Sequence, residues 1–156
     1  MQQLNILLDK YGESHMNTTN KIIHWVCVPA IMFSLFTMLF SIPFLMERSF
    51  YANWGMVILV LALLYYARLS MIMFSGFLVI GVVMIWAINH LYVWSDFNAG
   101  KLALWGVIIF VTAWIGQFIG HKIEGKKPSF FQDIQFLLIG PAWLLSFIFK
   151  KMGIKY

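Results

Sequence analysis

Long apolar runs separated by short polar and basic stretches set the outline of this chain. Residues 2–9 place Leu4, Ile6, Leu7 and Leu8 on roughly one helical face, too short a run to span a bilayer and suited to an interfacial helix. Residues 22–46 form the first run long enough to cross, interrupted by Pro29 and closed by Glu47-Arg48. In lipid, neighbouring helices can satisfy a carbonyl that a proline frees. Residues 54–67 are apolar but short of the about 20 residues a spanning helix needs. Residues 69–93 form a third span, with Ser75, Gly76 and Gly81 as small residues suited to close helix packing. Residues 102–119 form a fourth, which ends in Gly120-His121.

A fifth apolar stretch, residues 130–149, follows a basic loop. Ser129 and Gln132 have the spacing of a capping box that would start it. Gly140-Pro141 divides it into two arms of about nine residues, each about 14 Å long at helical rise, and neither arm crosses roughly 30 Å of hydrocarbon. The stretch therefore either crosses with a kink or dips in and returns, and Lys150, Lys151 and Lys155 after it favour a return. The predicted fold is all-α: one polytopic integral membrane domain over residues 1–156, with about four transmembrane helices, an N-terminal interfacial helix and a C-terminal kinked or re-entrant segment.

Composition agrees with this outline. Of 156 residues, 62% are hydrophobic and 11% charged, against about half and a quarter in soluble domains. A chain of this length cannot hide so much apolar surface in its own core, so its solvent is the lipid bilayer. The net charge of +5 comes from lysines in short loops, the pattern of cytoplasmic loops and not of a nucleic-acid surface. With the N-terminus cytoplasmic, Lys10, Lys21, Arg68, Lys122, Lys126 and Lys127 fall inside, against Arg48 and Lys101 outside. The expected location is the bacterial cytoplasmic membrane or the eukaryotic endoplasmic reticulum. No signal peptide is expected, because residues 1–21 contain Asp9, Lys10 and Glu13 and no apolar core. Cys27, the single cysteine, excludes an internal disulfide and reads as a small buried apolar residue.

This topology sorts the four histidines. His15 precedes the first span, His24 lies in its first turn and His121 ends the fourth, so all three sit at the inner face, while His90 is a helix length away. Each taken singly reads as an interfacial residue with one wet end. Three at one membrane depth supply enough neutral imidazoles for a divalent transition metal, iron or zinc, with positions left open. Glu124, three residues after His121, shares its face on a continuing helix and is expected to be a fourth ligand or the acceptor that orients an imidazole N–H. Asn20 reads as the N-cap of the first span, and Asn17 as a tie for the His15 loop. His90, Asp96 and Asn98 read as interfacial groups at the outer end.

HExxH, GxSxG and phosphate-binding glycine loops are all absent from the sequence. Membrane di-iron desaturases and hydroxylases need more histidines than this chain has. A haem held by His24 and His121 leaves His15 unexplained.

The ordered set His15-Met16-Asn17-Thr18-Thr19-Asn20-Lys21-Ile22-Ile23-His24 with Pro29, Gln117-Phe118-Ile119-Gly120-His121 with Glu124 and Pro128, and Gly140-Pro141 resembles the Mpo-type 2-hydroxy fatty acid dioxygenase family. That family includes the fungal 2-hydroxypalmitic acid dioxygenase of fatty-acid α-oxidation. The likeness covers nearly the whole chain in the order and spacing of its motifs. It departs at Met16, where the family often has a second histidine, and at Ser129, where alanine is common. The resemblance implies a multi-span enzyme that uses Fe(II) and O₂ to shorten a 2-hydroxy fatty acid by one carbon. It makes His15, His24 and His121 the expected iron ligands and puts Glu124 beside them as a catalytic group. Lys21, Lys122 and Asn17 are the expected substrate-binding residues, the lysines attracting the carboxylate together with Lys126 and Lys127. Hydroxyl and carboxylate would chelate the metal. The competing expectations are a non-catalytic membrane scaffold or assembly protein, whose histidines merely anchor helix ends, and the bis-histidine haem protein. No protein partner is implied.

Overall fold

The computed structural model describes residues 2–13, 15–44, 51–125 and 134–156. Among them are six helices and no strand: α1 (Gln2–Gly12), α2 (Thr18–Phe40), α3 (Trp54–Leu69), α4 (Met71–Trp94), α5 (Ala99–Glu124) and α6 (Ile134–Lys151). Three of them, α2, α4 and α5, are long and apolar enough to cross a membrane, and α3 is a shorter apolar helix of 16 residues. The chain is an all-α polytopic membrane protein. The expected capping box at Ser129 and Gln132, and the loop lysines Lys126 and Lys127, lie outside the described residues.

Helix boundaries follow side-chain chemistry more than hydropathy. The first span begins four residues earlier than the apolar pattern implies, because the Asn17 side chain accepts from the N–H groups of Thr19 and Asn20 and caps it. It ends at Phe40, after which Pro43 bridges back to Asn53, itself the N-cap of α3. Ser70 alone separates α3 from α4: its N–H donates to the Tyr66 carbonyl while its hydroxyl caps α4 through Met73 N–H. The fourth span continues past His121 to Glu124 and closes on Gly125 in the left-handed conformation, the usual glycine stop.

Two helix pairs make the bundle. α2 and α5 pack most extensively, along small residues of α5. A Cβ added at Gly106 would meet Met38, at Gly116 the Cys27 sulfur at 2.5 Å, and at Gly120 the Asn20 side-chain oxygen at 2.4 Å. Van der Waals packing is what holds helices together in lipid, and such close approach maximises it. Cys27 is thus a buried apolar residue of this seam. The other pair is the α3–α4 hairpin. Here Gly81 faces Leu59, and Gly76 faces Leu145 and Phe149 of α6, so two of the small residues expected at helix contacts are at contacts.

α1 and α6 lie together across one end of the bundle. Leu4 and Leu8, one turn apart on α1, are buried in a cluster with Ile139, Trp143 and Leu144 of α6. Ile6 points away and is exposed, so the apolar face of α1 is narrower than its sequence implies. α6 also meets the ends of α3 and α2: the Tyr66 hydroxyl donates to the Leu138 carbonyl at 2.8 Å, and Phe147 meets Trp25 near the start of α2. It is one helix through Pro141, not two arms, and the chain does not turn back at Gly140-Pro141. The glycine serves a close approach instead, since a Cβ there would sit 2.9 Å from the Tyr11 hydroxyl.

The seam makes a testable demand. Gly116→Ala is expected to lower stability by about 1–3 kcal/mol through overpacking. Adding Cys27→Ala should recover most of that loss, giving a clear coupling in a double-mutant cycle of thermal unfolding in detergent.

Candidate metal centre

The turn that joins α1 to α2 carries His15, and the first turns of α2 carry Asn20 and His24. Both imidazoles hang from backbone carbonyls one turn upstream: His15 Nδ1 donates to the Tyr11 carbonyl at 2.8 Å, and His24 Nδ1 to that of Asn20 at 2.9 Å. A carbonyl only accepts, so in each neutral ring Nδ1 holds the hydrogen and Nε2 the lone pair. The two Nε2 atoms face each other at 2.8 Å. Two lone pairs that close repel, and a cation shared between them removes the conflict.

α5 brings the third ring. His121 lies edge-on to the other two, with centroids 5.4 Å from His15 and 5.0 Å from His24. Its Nδ1 is buried with no hydrogen-bond partner among the described residues. One ligand atom from each of the three histidines lies within 4.8 Å of the others, and all three side chains are buried. Three neutral imidazoles with aimed lone pairs and an orphaned ring nitrogen fit a divalent transition metal. They do not fit a haem, because His24 and His121 are in edge-to-face contact at 87° with no slot between them for a macrocycle.

Glu124 fixes this arrangement from outside. One carboxylate oxygen accepts from Met16 N–H at 2.8 Å, and the other accepts from Asn17 N–H at 2.9 Å and from the Asn20 amide at 3.0 Å. Its oxygens therefore hold the His15 turn, and the bonds described for them come from no imidazole. The two asparagines exchange the helix-end roles expected of them: Asn17 caps α2 through its side-chain oxygen, while Asn20 is fully buried and ties the helix to Glu124. Met16 has an exposed side chain and contributes its backbone.

Around His15 the ring of Tyr11 stacks at 4.4 Å and that of Trp143 lies at 5.3 Å. Burial pushes the Tyr11 phenol well above its ordinary value, so it stays protonated. Neither aromatic was legible as part of a site, although Tyr11 is one helical turn before His15. Lys21 is half-buried and shares a surface recess with His15 and Met16. Lys122 is exposed on the end of α5 and lines no cavity described here. His90 is exposed beside Trp86 near the other end of α4, away from the cluster.

From the histidines a cavity of about 430 Å³ runs into the bundle between the two helix pairs. His24 and Leu39 both line it, and the fifteen-residue step from one to the other along α2 corresponds to about 22 Å of depth. Its deep walls are apolar, with Leu35, Leu39, Ile58, Leu63, Ile80 and Met84 among them.

Fold and site together define a polytopic membrane protein with a buried three-histidine cluster that could hold a metal ion, opening on an apolar cavity. A family model described as 2-hydroxy-palmitic acid dioxygenase Mpo1-like matches residues 1–152 of the chain, and the chain belongs to that family. Comparison with curated proteins and with solved structures gave no match.

The Glu124 carboxylate gives the centre its sharpest test. Glu124→Ala leaves two backbone N–H groups and the Asn20 amide unpaired, and metal affinity is expected to fall by roughly 10- to 100-fold, as for other supporting residues of metal sites. Metal titration of purified protein checks this. Unchanged affinity would show that the His15 turn holds without the carboxylate.

Proposed function

We propose that the protein is an Fe(II)-dependent dioxygenase that shortens 2-hydroxy fatty acids by one carbon. The observation that carries this reading is the continuity of the histidine cluster with a long apolar cavity inside a membrane protein of this family. A polar head that must meet a metal and a hydrocarbon tail that must leave water are both accommodated in one chamber. The family description names a 2-hydroxy-palmitic acid dioxygenase, and a histidine cluster opening on an apolar chamber suits such a substrate.

His15, His24 and His121 hold the metal, leaving positions for substrate and O₂. Iron, when bound, supplies the one-electron chemistry that lets O₂ react with a closed-shell substrate. Everything else is the work of the chain. The carbonyls of Tyr11 and Asn20 keep both Nδ1 atoms protonated and both Nε2 atoms aimed inward. Glu124 is a positioning residue that holds the turn bearing His15. Lys21, in the recess beside His15, faces the substrate carboxylate, and exposed Lys122 adds to the attractive field at this end of the bundle. The apolar walls take the acyl chain and exclude water. The histidine end is cytoplasmic by the distribution of lysine and arginine, in a bacterial cytoplasmic membrane or the endoplasmic reticulum.

Oxygen uptake by anaerobically purified, Fe(II)-loaded protein in detergent tests this directly. Uptake should require both iron and 2-hydroxypalmitate and should disappear in His24→Ala and in His121→Ala. Bound metal without uptake would overturn the substrate, and absence of bound metal would overturn the dioxygenase reading in favour of a scaffold. The cavity adds a second expectation: Leu35→Trp, which narrows it partway down, should move the preferred substrate to shorter acyl chains, read as the ratio of kcat/KM values across a chain-length series.

A further inference from the structure

Successive turns of α5 present Trp114, Gln117 and His121 to the cavity. Gln117 is only 5% exposed, and its amide oxygen is buried with no hydrogen-bond partner among the described residues. An unsatisfied buried amide is costly, and methionine or leucine would fill the same space without that cost. A ligand that pairs with the amide accounts for a glutamine here.

Depth indicates which part of a ligand that is. Lys21 lies in the outer recess, the three histidines come next, and Gln117 lies one turn of α5 further in, about 6 Å beyond His121 by helical rise. Past it the walls are those of the acyl-chain cavity. A fatty acid lying with its carboxylate at the histidines and Lys21 therefore brings its second carbon, and whatever that carbon carries, toward Gln117. We propose that Gln117 recognises the 2-hydroxyl group, its amide oxygen accepting the hydroxyl hydrogen, and so distinguishes 2-hydroxy fatty acids from unsubstituted ones. The proposal rests on the fatty-acid reading above and adds to it the residue that reads the hydroxyl.

The test is binding, not turnover. Dissociation constants for 2-hydroxyhexadecanoate and hexadecanoate are measured anaerobically on the Fe(II)-loaded protein and again on metal-depleted protein, which removes any preference due to chelation. Gln117→Met, close in size but without the amide, should keep its iron and its affinity for hexadecanoate. Its preference for the hydroxy acid should fall by roughly tenfold or more in both states. Thermal unfolding of the ligand-free variant should be unchanged or later, since an unpaired polar group has been removed. Gln117→Asn, which keeps a shorter amide, should hold part of the preference and provides a second variant should the methionine form fail to fold. A Gln117→Met protein that retains full preference, loses both ligands equally or loses its iron would overturn the inference and leave the dioxygenase reading intact. A wild type with no preference for the hydroxy acid would overturn that reading itself.

Discussion

The contact between the Glu124 carboxylate and the turn before α2 holds the site together. Two consecutive backbone N–H groups, those of Met16 and Asn17, donate to its two oxygens, and the Asn20 amide adds a third bond. Such charge-assisted bonds are stronger than neutral ones, and backbone N–H groups left without partners are costly. All three imidazoles depend on this anchor. His15 is carried by the turn, His24 hangs from the carbonyl of the residue whose amide is held, and His121 is one turn before Glu124 on the same helix. The extension of α5 beyond its apolar run, to the stop at Gly125, is therefore required to complete the site.

The bundle divides labour between its two helix pairs. The α2–α5 seam, drawn close by Gly106, Gly116 and Gly120, is tightly packed and carries His24 and His121. A centre built on packed helices is held more closely than one built on loops. The α3–α4 hairpin contributes no ligand and forms the opposite, apolar wall of the cavity. α1 and α6 cover the histidine end, with Tyr11 and Trp143 closing over His15.

Much of this was legible in the sequence, for identifiable reasons. The spans follow from hydropathy, and the convergence of His15, His24 and His121 follows once topology places them at one depth. The cap fell to the other asparagine: Asn17 and Asn20 both suit a helix start, and only the position of Glu124, more than a hundred residues away, makes Asn17 the cap and Asn20 the tie. The proline in Gly140-Pro141 implied an interruption, but a buried helix packed on α1, α2 and α4 passes through it. Ile6 falls outside the buried set of α1 because two residues of helix turn it to the face opposite Leu4 and Leu8. Gln117 stood within the recognised motif, yet nothing short of the cavity gave it a surrounding. The glycine seam of α5 was likewise invisible, since close approach is a property of two helices.

The brevity of α3 has a consequence for the lipid around it. Its 16 residues give about 24 Å of helix, several ångströms less than an average hydrocarbon core, and mismatch costs fractions of a kcal/mol per Å. Asn53 at one end and Arg68 at the other mark where its apolar surface stops. Lipids beside such a helix are expected to shorten or splay to meet those limits, against the wall that bounds the cavity. Bilayer thickness is thereby expected to bear on the shape of the chamber, with the same chain in thin and thick membranes holding hydrocarbon under different lateral stress.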